Sequence, residues 1–151
     1  TQAIHRDGIP TYLLKKSIHI INQKLSNLLS NVDFSVYFDD ELTLKLSSDS
    51  RLDVSQNAVE SSGKERTFSA IALKIALREI NKKSKPDFVL FDEVMGKLVS
   101  NSVDEFIEFL DVISKEVGKL VIIEHVHQIN YDAIIEVKKD VDGVSTLEFN
   151  S

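Results

Sequence analysis

An α/β fold, with a parallel-sheet core, flanking helices and peripheral β-hairpins, is predicted by three features of this 151-residue chain. The wholly apolar runs Phe88-Val-Leu-Phe91 and Leu120-Val-Ile-Ile123 bracket a segment of helical periodicity, and a strand, helix, strand unit of that length implies parallel strands. Two further segments, Ile9 to Leu29 and Thr67 to Ile80, have helical length and apolar spacing. Period-two alternation around acidic turns marks a hairpin near each flank of the core.

The first helix is read from Ile9, Leu13, Leu14, Ile18, Ile21, Leu25 and Leu28, with Pro10 in the first turn, where a missing N–H costs nothing. Phe34 to Phe38 and Leu42 to Leu46 alternate around Asp39-Asp40-Glu41, and a short strand at Arg51 to Val54 follows. Ser55 to Ser61 is polar and reads as a loop. The second helix carries Phe68, Ile71, Ala72, Leu73, Ile75, Ala76 and Leu77, and Asn81 to Pro86 ends it. Short, wholly apolar strands predict burial on both faces. Ser102-x-x-Glu105 reads as a capping box opening a third helix with Val103, Phe106, Ile107, Leu110, Ile113 and Val117 on its apolar side. Ala133 to Val137 and Val144 to Phe149, turning at Asp140 to Gly143, form the last hairpin.

Composition narrows the function. With 42% hydrophobic residues the chain has apolar material for one core, and its net charge of -6 and pI near 5.2 argue against nucleic-acid binding through overall basicity. A local patch remains open: the first helix carries Lys15, Lys16 and Lys24 and no acid between Gly8 and Val32, which makes it either a DNA-facing surface or an ordinary solvated face. Zero cysteines exclude disulfides and thiolate metal sites. No apolar run approaches the roughly 20 residues that span a bilayer, and the first residues lack a signal-peptide core, so a soluble, cytoplasmic protein is expected.

The chemistry concentrates at three places. A strand ending in Asp92-Glu93 puts two carboxylates at the carboxyl edge of a parallel sheet, where open α/β folds bind ligands; a strand merely meeting a solvated loop gives the same pattern. About 30 residues upstream, Glu60-Ser61-Ser62-Gly63-Lys64-Glu65-Arg66 opens the second helix, and a helix N-terminus offers free N–H groups to a phosphate. Ser62-Gly-Lys-Glu65 is equally a capping box needing no ligand. After the second strand stand Glu124-His125, the imidazole suited to sensing a phosphate; with His127 they could instead cluster around a metal, although neighbours on an extended chain point oppositely.

In this order and spacing the three segments resemble the signature motif, the Walker B motif and the switch histidine of ABC-type ATPases. The opening Asp7-Gly-Ile-Pro-Thr-Tyr-Leu-Leu with Ile20-Ile-Asn-Gln-Lys-Leu-Ser-Asn-Leu-Leu is similar to the coiled-coil helix entering the head of SbcC-type, SMC-like repair ATPases, the phage recombination-exonuclease members in particular. The resemblance covers almost the whole chain. It implies the C-terminal lobe of a P-loop ABC-type ATPase head, with residues 1–31 as the coiled-coil-proximal helix and 32–151 as the lobe. It further implies that Asp92 holds Mg²⁺, through water, and that Glu93 polarises the attacking water while His125 senses the γ-phosphate. Ser61, Ser62, Gly63, Lys64 and Glu65 would serve ATP on a second head, and Gly96, Lys97 and Leu98 would form the D-loop.

The pattern breaks twice. Lys64 stands where the signature has its second Gly, with a one-residue shift making Ser61 rather than Ser62 the motif serine, and Val99 falls near the usual D-loop Asp. No G-x-x-x-x-G-K-[ST] occurs among the five scattered glycines, which matches a family whose Walker A motif lies in the N-terminal half of the head. Expected partners are therefore that N-terminal lobe, a second identical head, a metallo-nuclease and double-stranded DNA, with ATP and Mg²⁺ as cofactors and no membrane. The place would be the cytoplasm, at the nucleoid, or a host's cytoplasm for a phage protein. An SMC-type structural DNA-tethering head without nuclease control is the rival in the same fold. A self-contained binding domain, whose motifs are only caps and strand ends, is the rival outside it.

Overall fold

The computed structural model describes residues 9–48, 56–57, 61–80, 86–98, 102–125 and 131–150. The strand expected at Arg51 to Val54, the helix stop at 81–85, Val99 and His127 lie outside the described residues.

Helix α1 runs Ile9–Leu28, as its periodicity predicts, and buries Ile21, Leu25 and Leu28, with Leu29 just beyond. Its Asn22 does a strand's work. The side-chain amide donates to the Phe38 carbonyl at 2.9 Å and accepts from the Phe38 N–H at 2.8 Å, pinning the edge of β1 (Phe34–Phe38) to the helix. β2 (Leu44–Ser48) pairs antiparallel with β1, and Val36 opposite Leu46 sends one face into the core.

β2 begins two residues later than the alternation predicts. Asp39 closes the turn by accepting from the N–H groups of Glu41 and Thr43, at 3.0 and 2.8 Å, and this places Leu42 in the left-handed region at φ 64°. A residue in that conformation cannot extend a strand. Two residues of the expected loop, Gln56–Asn57, form β3 against β2.

Helix α2 spans Gly63–Ile80 and starts a turn earlier than the apolar pattern alone, because Ser62 and Glu65 form a reciprocal cap. It buries Phe68, Ile71, Ala72, Ile75 and Ala76, while Leu77 stays exposed. Helix α3 (Val103–Val117) buries Phe106, Phe109, Leu110, Ile113 and Val117. Phe68 lies at the centre of an aromatic cluster: its ring stacks on Phe109 at 4.8 Å and meets Phe106 and Phe34 edge-on at 5.3 and 6.2 Å. Such pairs add about 0.5–1.5 kcal/mol each beyond area burial.

The expected capping box at Ser102 does not form. Ser102 stands at φ -102°, ψ 0° rather than in the extended geometry of an N-cap and makes no side-chain cap bond, and the Glu105 carboxylate that would complete the box pairs with the Lys64 ammonium at 2.6 Å. At the other end Gly118, at φ 80°, turns the chain directly into β5; a Cβ there would stand 3.3 Å from the Asp87 carbonyl, which accepts from Lys119 N–H at 3.1 Å.

β4 (Phe88–Asp92) and β5 (Lys119–Ile123) pair in parallel and in register, Phe88 beside Lys119 through Asp92 beside Ile123, as expected. Their burial is not as expected. Val89, Phe91, Leu120 and Ile122 face the core, but Phe88, Leu90, Val121 and Ile123 are 52, 49, 43 and 46% exposed. The reason is that α3 covers one face only of a sheet that has two strands among the described residues. The last hairpin, β6 (Ile134–Lys139) with β7 (Ser145–Asn150), matches expectation, and its turn repeats the Asp39 device: Asp140 accepts from Asp142 and Val144 N–H, with Gly143 at φ 83° where the first turn has Leu42.

Candidate functional site

The carboxyl ends of β4 and β5 form one small constellation. Asp92 is the exposed last residue of β4, and Glu93 directly after it adopts φ 49°, a left-handed conformation costing a non-glycine residue about 1 kcal/mol or more. That turn is held from the neighbouring strand. Glu93 N–H continues the ladder by donating to the Ile123 carbonyl at 2.9 Å, and the Glu93 carboxylate meets the His125 Nε2 at 3.1 Å. Both side chains are well exposed, at 64 and 82%, so the pair is open to a ligand.

Glu124 points the other way. Its carboxylate accepts from the N–H of Met95 at 2.6 Å, the first residue of the 3₁₀ turn Met95–Lys97 that follows β4. Adjacent residues of one extended segment thus diverge onto two points of the same loop. Tyr131 lies near, its phenol pushed above its ordinary range by burial and then by the Glu124 charge. Glu124 and His125 therefore do not converge on one point, and no group of three or more metal-ligating side chains occurs among the described residues, which do not include His127.

The segment Ser61–Glu65 occupies the N-terminus of α2. Ser61 is buried and its carbonyl accepts from Arg66, whereas Ser62 and Gly63 are exposed, so Ser62 is the serine presented outward. Its hydroxyl is engaged as the helix cap, accepting from Glu65 N–H at 3.3 Å. Lys64 is bound to two carboxylates, Asp33 at 3.0 Å and Glu105 at 2.6 Å, and so ties α2 to the start of the first hairpin and to α3. Burial alone would lower its pKa, but hydrogen bonds to Glu105 and Asp33 outweigh this and hold it above the ordinary 10.5.

In the expected D-loop, Gly96 is exposed with open space around it, Lys97 closes the 3₁₀ turn, and Leu98 is half-buried with its N–H on the Met95 carbonyl at 2.9 Å. On α1, Lys15 and Lys16 are exposed, but Lys24 reaches across to an ion pair with Glu116 of α3. Sequence reasoning missed three partners here: Glu124 for the 3₁₀ turn, Glu105 for Lys64 and Glu116 for Lys24. The acid directly before His125 was the available signal for the first.

No protein-family model matches the chain. It is 26% identical, over 97% of its length, to an uncharacterized protein of Acanthamoeba polyphaga mimivirus, and spans 12% of that protein. Among solved structures it resembles a chain from work on ATP-driven dimerization and DNA-stimulated activation of SMC ATPases, with a TM-score of 0.74 and 20% identity over 93% of this chain and 89% of that one. It also resembles the SMC head domain from Thermotoga maritima (TM-score 0.66, 21% identity, 94% of this chain and 51% of that one). An SMC head bound to the C-terminal winged-helix domain of ScpA gives a TM-score of 0.69 at 21% identity, with 93% of this chain matched to 45% of that one. The chain therefore has the α/β fold of an SMC ATPase head lobe, and spans about half of the length of the last two head structures.

Proposed function

We propose that this chain is the C-terminal lobe of an ABC-type, SMC-like ATPase head of the SbcC kind, completed by an N-terminal lobe that carries the phosphate-binding Walker A loop. The observation that carries the reading is the pairing of Glu93 with His125 beside Asp92 at the carboxyl end of a parallel strand pair. The SMC-head fold supports it. In it, Glu93 orients and polarises the attacking water, and His125, 3.1 Å away, reports the γ-phosphate. Asp92 is a hard oxygen donor that would hold Mg²⁺ through water, but one carboxylate falls short of its octahedral shell; nucleotide phosphates, water and the other lobe would supply the rest. Bound Mg²⁺ would neutralise charge developing on the transferred phosphoryl group. The exposed face of Phe88, Leu90, Val121 and Ile123 is where the N-terminal lobe packs, and the N-terminus of α2, with Ser62 and Gly63, serves ATP held by a second head.

On this reading the lobe alone does not turn over ATP. The full head dimerises around two Mg·ATP, engages double-stranded DNA, with Lys15 and Lys16 exposed on α1, and gates a metallo-nuclease in the cytoplasm during double-strand-break processing. The test is Glu93→Gln in the head assembled with its N-terminal half. ATP binding is expected to persist and turnover to fall about 10²- to 10⁴-fold, the usual contribution of a positioned base; normal turnover removes Glu93 from the mechanism. Co-purification of a nuclease whose activity follows nucleotide state checks the partner.

A further inference from the structure

The turn after β4 carries two liabilities. Glu93 sits at φ 49°, and the 3₁₀ turn that begins at Met95 has no side-chain cap from its own N-cap residue, Val94. Strained backbone of this kind persists only where its surroundings over-determine it. Here the restraint comes from the end of β5, through three bonds in successive residues: the Ile123 carbonyl on Glu93 N–H, Glu124 on Met95 N–H, and His125 on the Glu93 carboxylate.

We infer that Glu124 is a positioning residue, a cap supplied from the neighbouring strand that fixes the 3₁₀ turn of the D-loop and thereby holds Glu93 in its working orientation. The inference rests on the catalytic reading of Glu93. The chemistry favours it: a carboxylate accepting from the N–H at the start of a helical turn makes a charge-assisted bond with the dipole in its favour. The bond is short at 2.6 Å and half-buried, where competition from water is reduced. Its place also gives it reach. Glu124 lies between the strand and the phosphate-sensing His125, so movement of His125 on loss of phosphate would be passed to Met95 and on to the Gly96 to Leu98 segment aimed at the second head.

The test compares Glu124→Ala with Glu124→Gln, which keeps an acceptor oxygen, in the assembled head. A hydrogen bond to a charged group is worth about 1.5–3 kcal/mol, so Glu124→Ala should lower kcat by about ten- to a hundredfold, with KM for ATP within about twofold. Glu124→Gln should recover most of this. Amide hydrogen exchange at Met95 should quicken in Glu124→Ala and stay near wild type in Glu124→Gln. Wild-type kcat in Glu124→Ala, equal loss in both variants, or unchanged Met95 exchange would overturn the proposal. A Glu93→Gln control separates the two ideas: if that variant turns over normally the catalytic reading is at fault, and the exchange arm alone decides whether Glu124 caps the turn.

Discussion

The helical side of this molecule is enclosed and its sheet side is open. Around Phe68, residues from α1, α2, α3 and the first hairpin enclose one another, and Phe34, Leu25, Phe106, Phe109 and Ile113 are all at most 4% exposed. Across β4 and β5 the same kind of side chain lies half in solvent, and β7 is exposed along its whole length. An apolar strand face left open in this way is suited to burial against another protein surface, and the proposed N-terminal lobe would supply one.

The largest effect should come from the enclosed side. Phe68→Ala removes the ring at the centre of the cluster and should destabilise the lobe by about 3–5 kcal/mol, read by denaturant unfolding. On the open face Leu90→Asp should leave that unfolding within about 0.5 kcal/mol of wild type, yet weaken association with the N-terminal half at least about thirtyfold, because an unpaired carboxylate would be buried on docking. Equal damage to stability would show that the face is not an interface. Ser62→Ala removes the hydroxyl half of the reciprocal cap of α2, leaving the bond from its own N–H to Glu65, and should cost about 1 kcal/mol. Smallest is Lys64→Ala, under about 1 kcal/mol, since the pair it forms is partly solvated. A raised folded pKa sets the sign of its pH dependence: the Lys64 contribution is complete below pH 10.5 and is lost as pH rises through the higher folded value, so comparing wild type and Lys64→Ala in alkaline titrations should show their difference vanish there.

The same contrast explains what could be read from the chain. Helix α1 and the parallel pair β4 and β5 followed from periodicity and run length, because those signals are local. The expected burial of Phe88 and Leu90 is not found, since an apolar run does not say how many faces of its sheet are covered. The start of β2 shifted because Asp39 pulls Leu42 into the turn, and the expected box at α3 did not form because Ser102 lacks an extended N-cap backbone and the Glu105 carboxylate pairs with Lys64. At the candidate site, order and spacing singled out Asp92, Glu93 and His125, and the structure brings Glu93 to His125. The bond from Met95 N–H to Glu124 spans 29 residues and depends on strand register, which no short pattern encodes.

The central claim is that this lobe holds half of an ATP site. Calorimetric titration with Mg·ATP tests it most directly, comparing the chain alone with the chain joined to its N-terminal half. The account predicts no measurable binding to the lobe alone and saturable binding, with turnover dependent on Glu93, in the joined head. Saturable binding to the lobe alone, or a joined head that hydrolyses ATP equally well as Glu93→Gln, would contradict it.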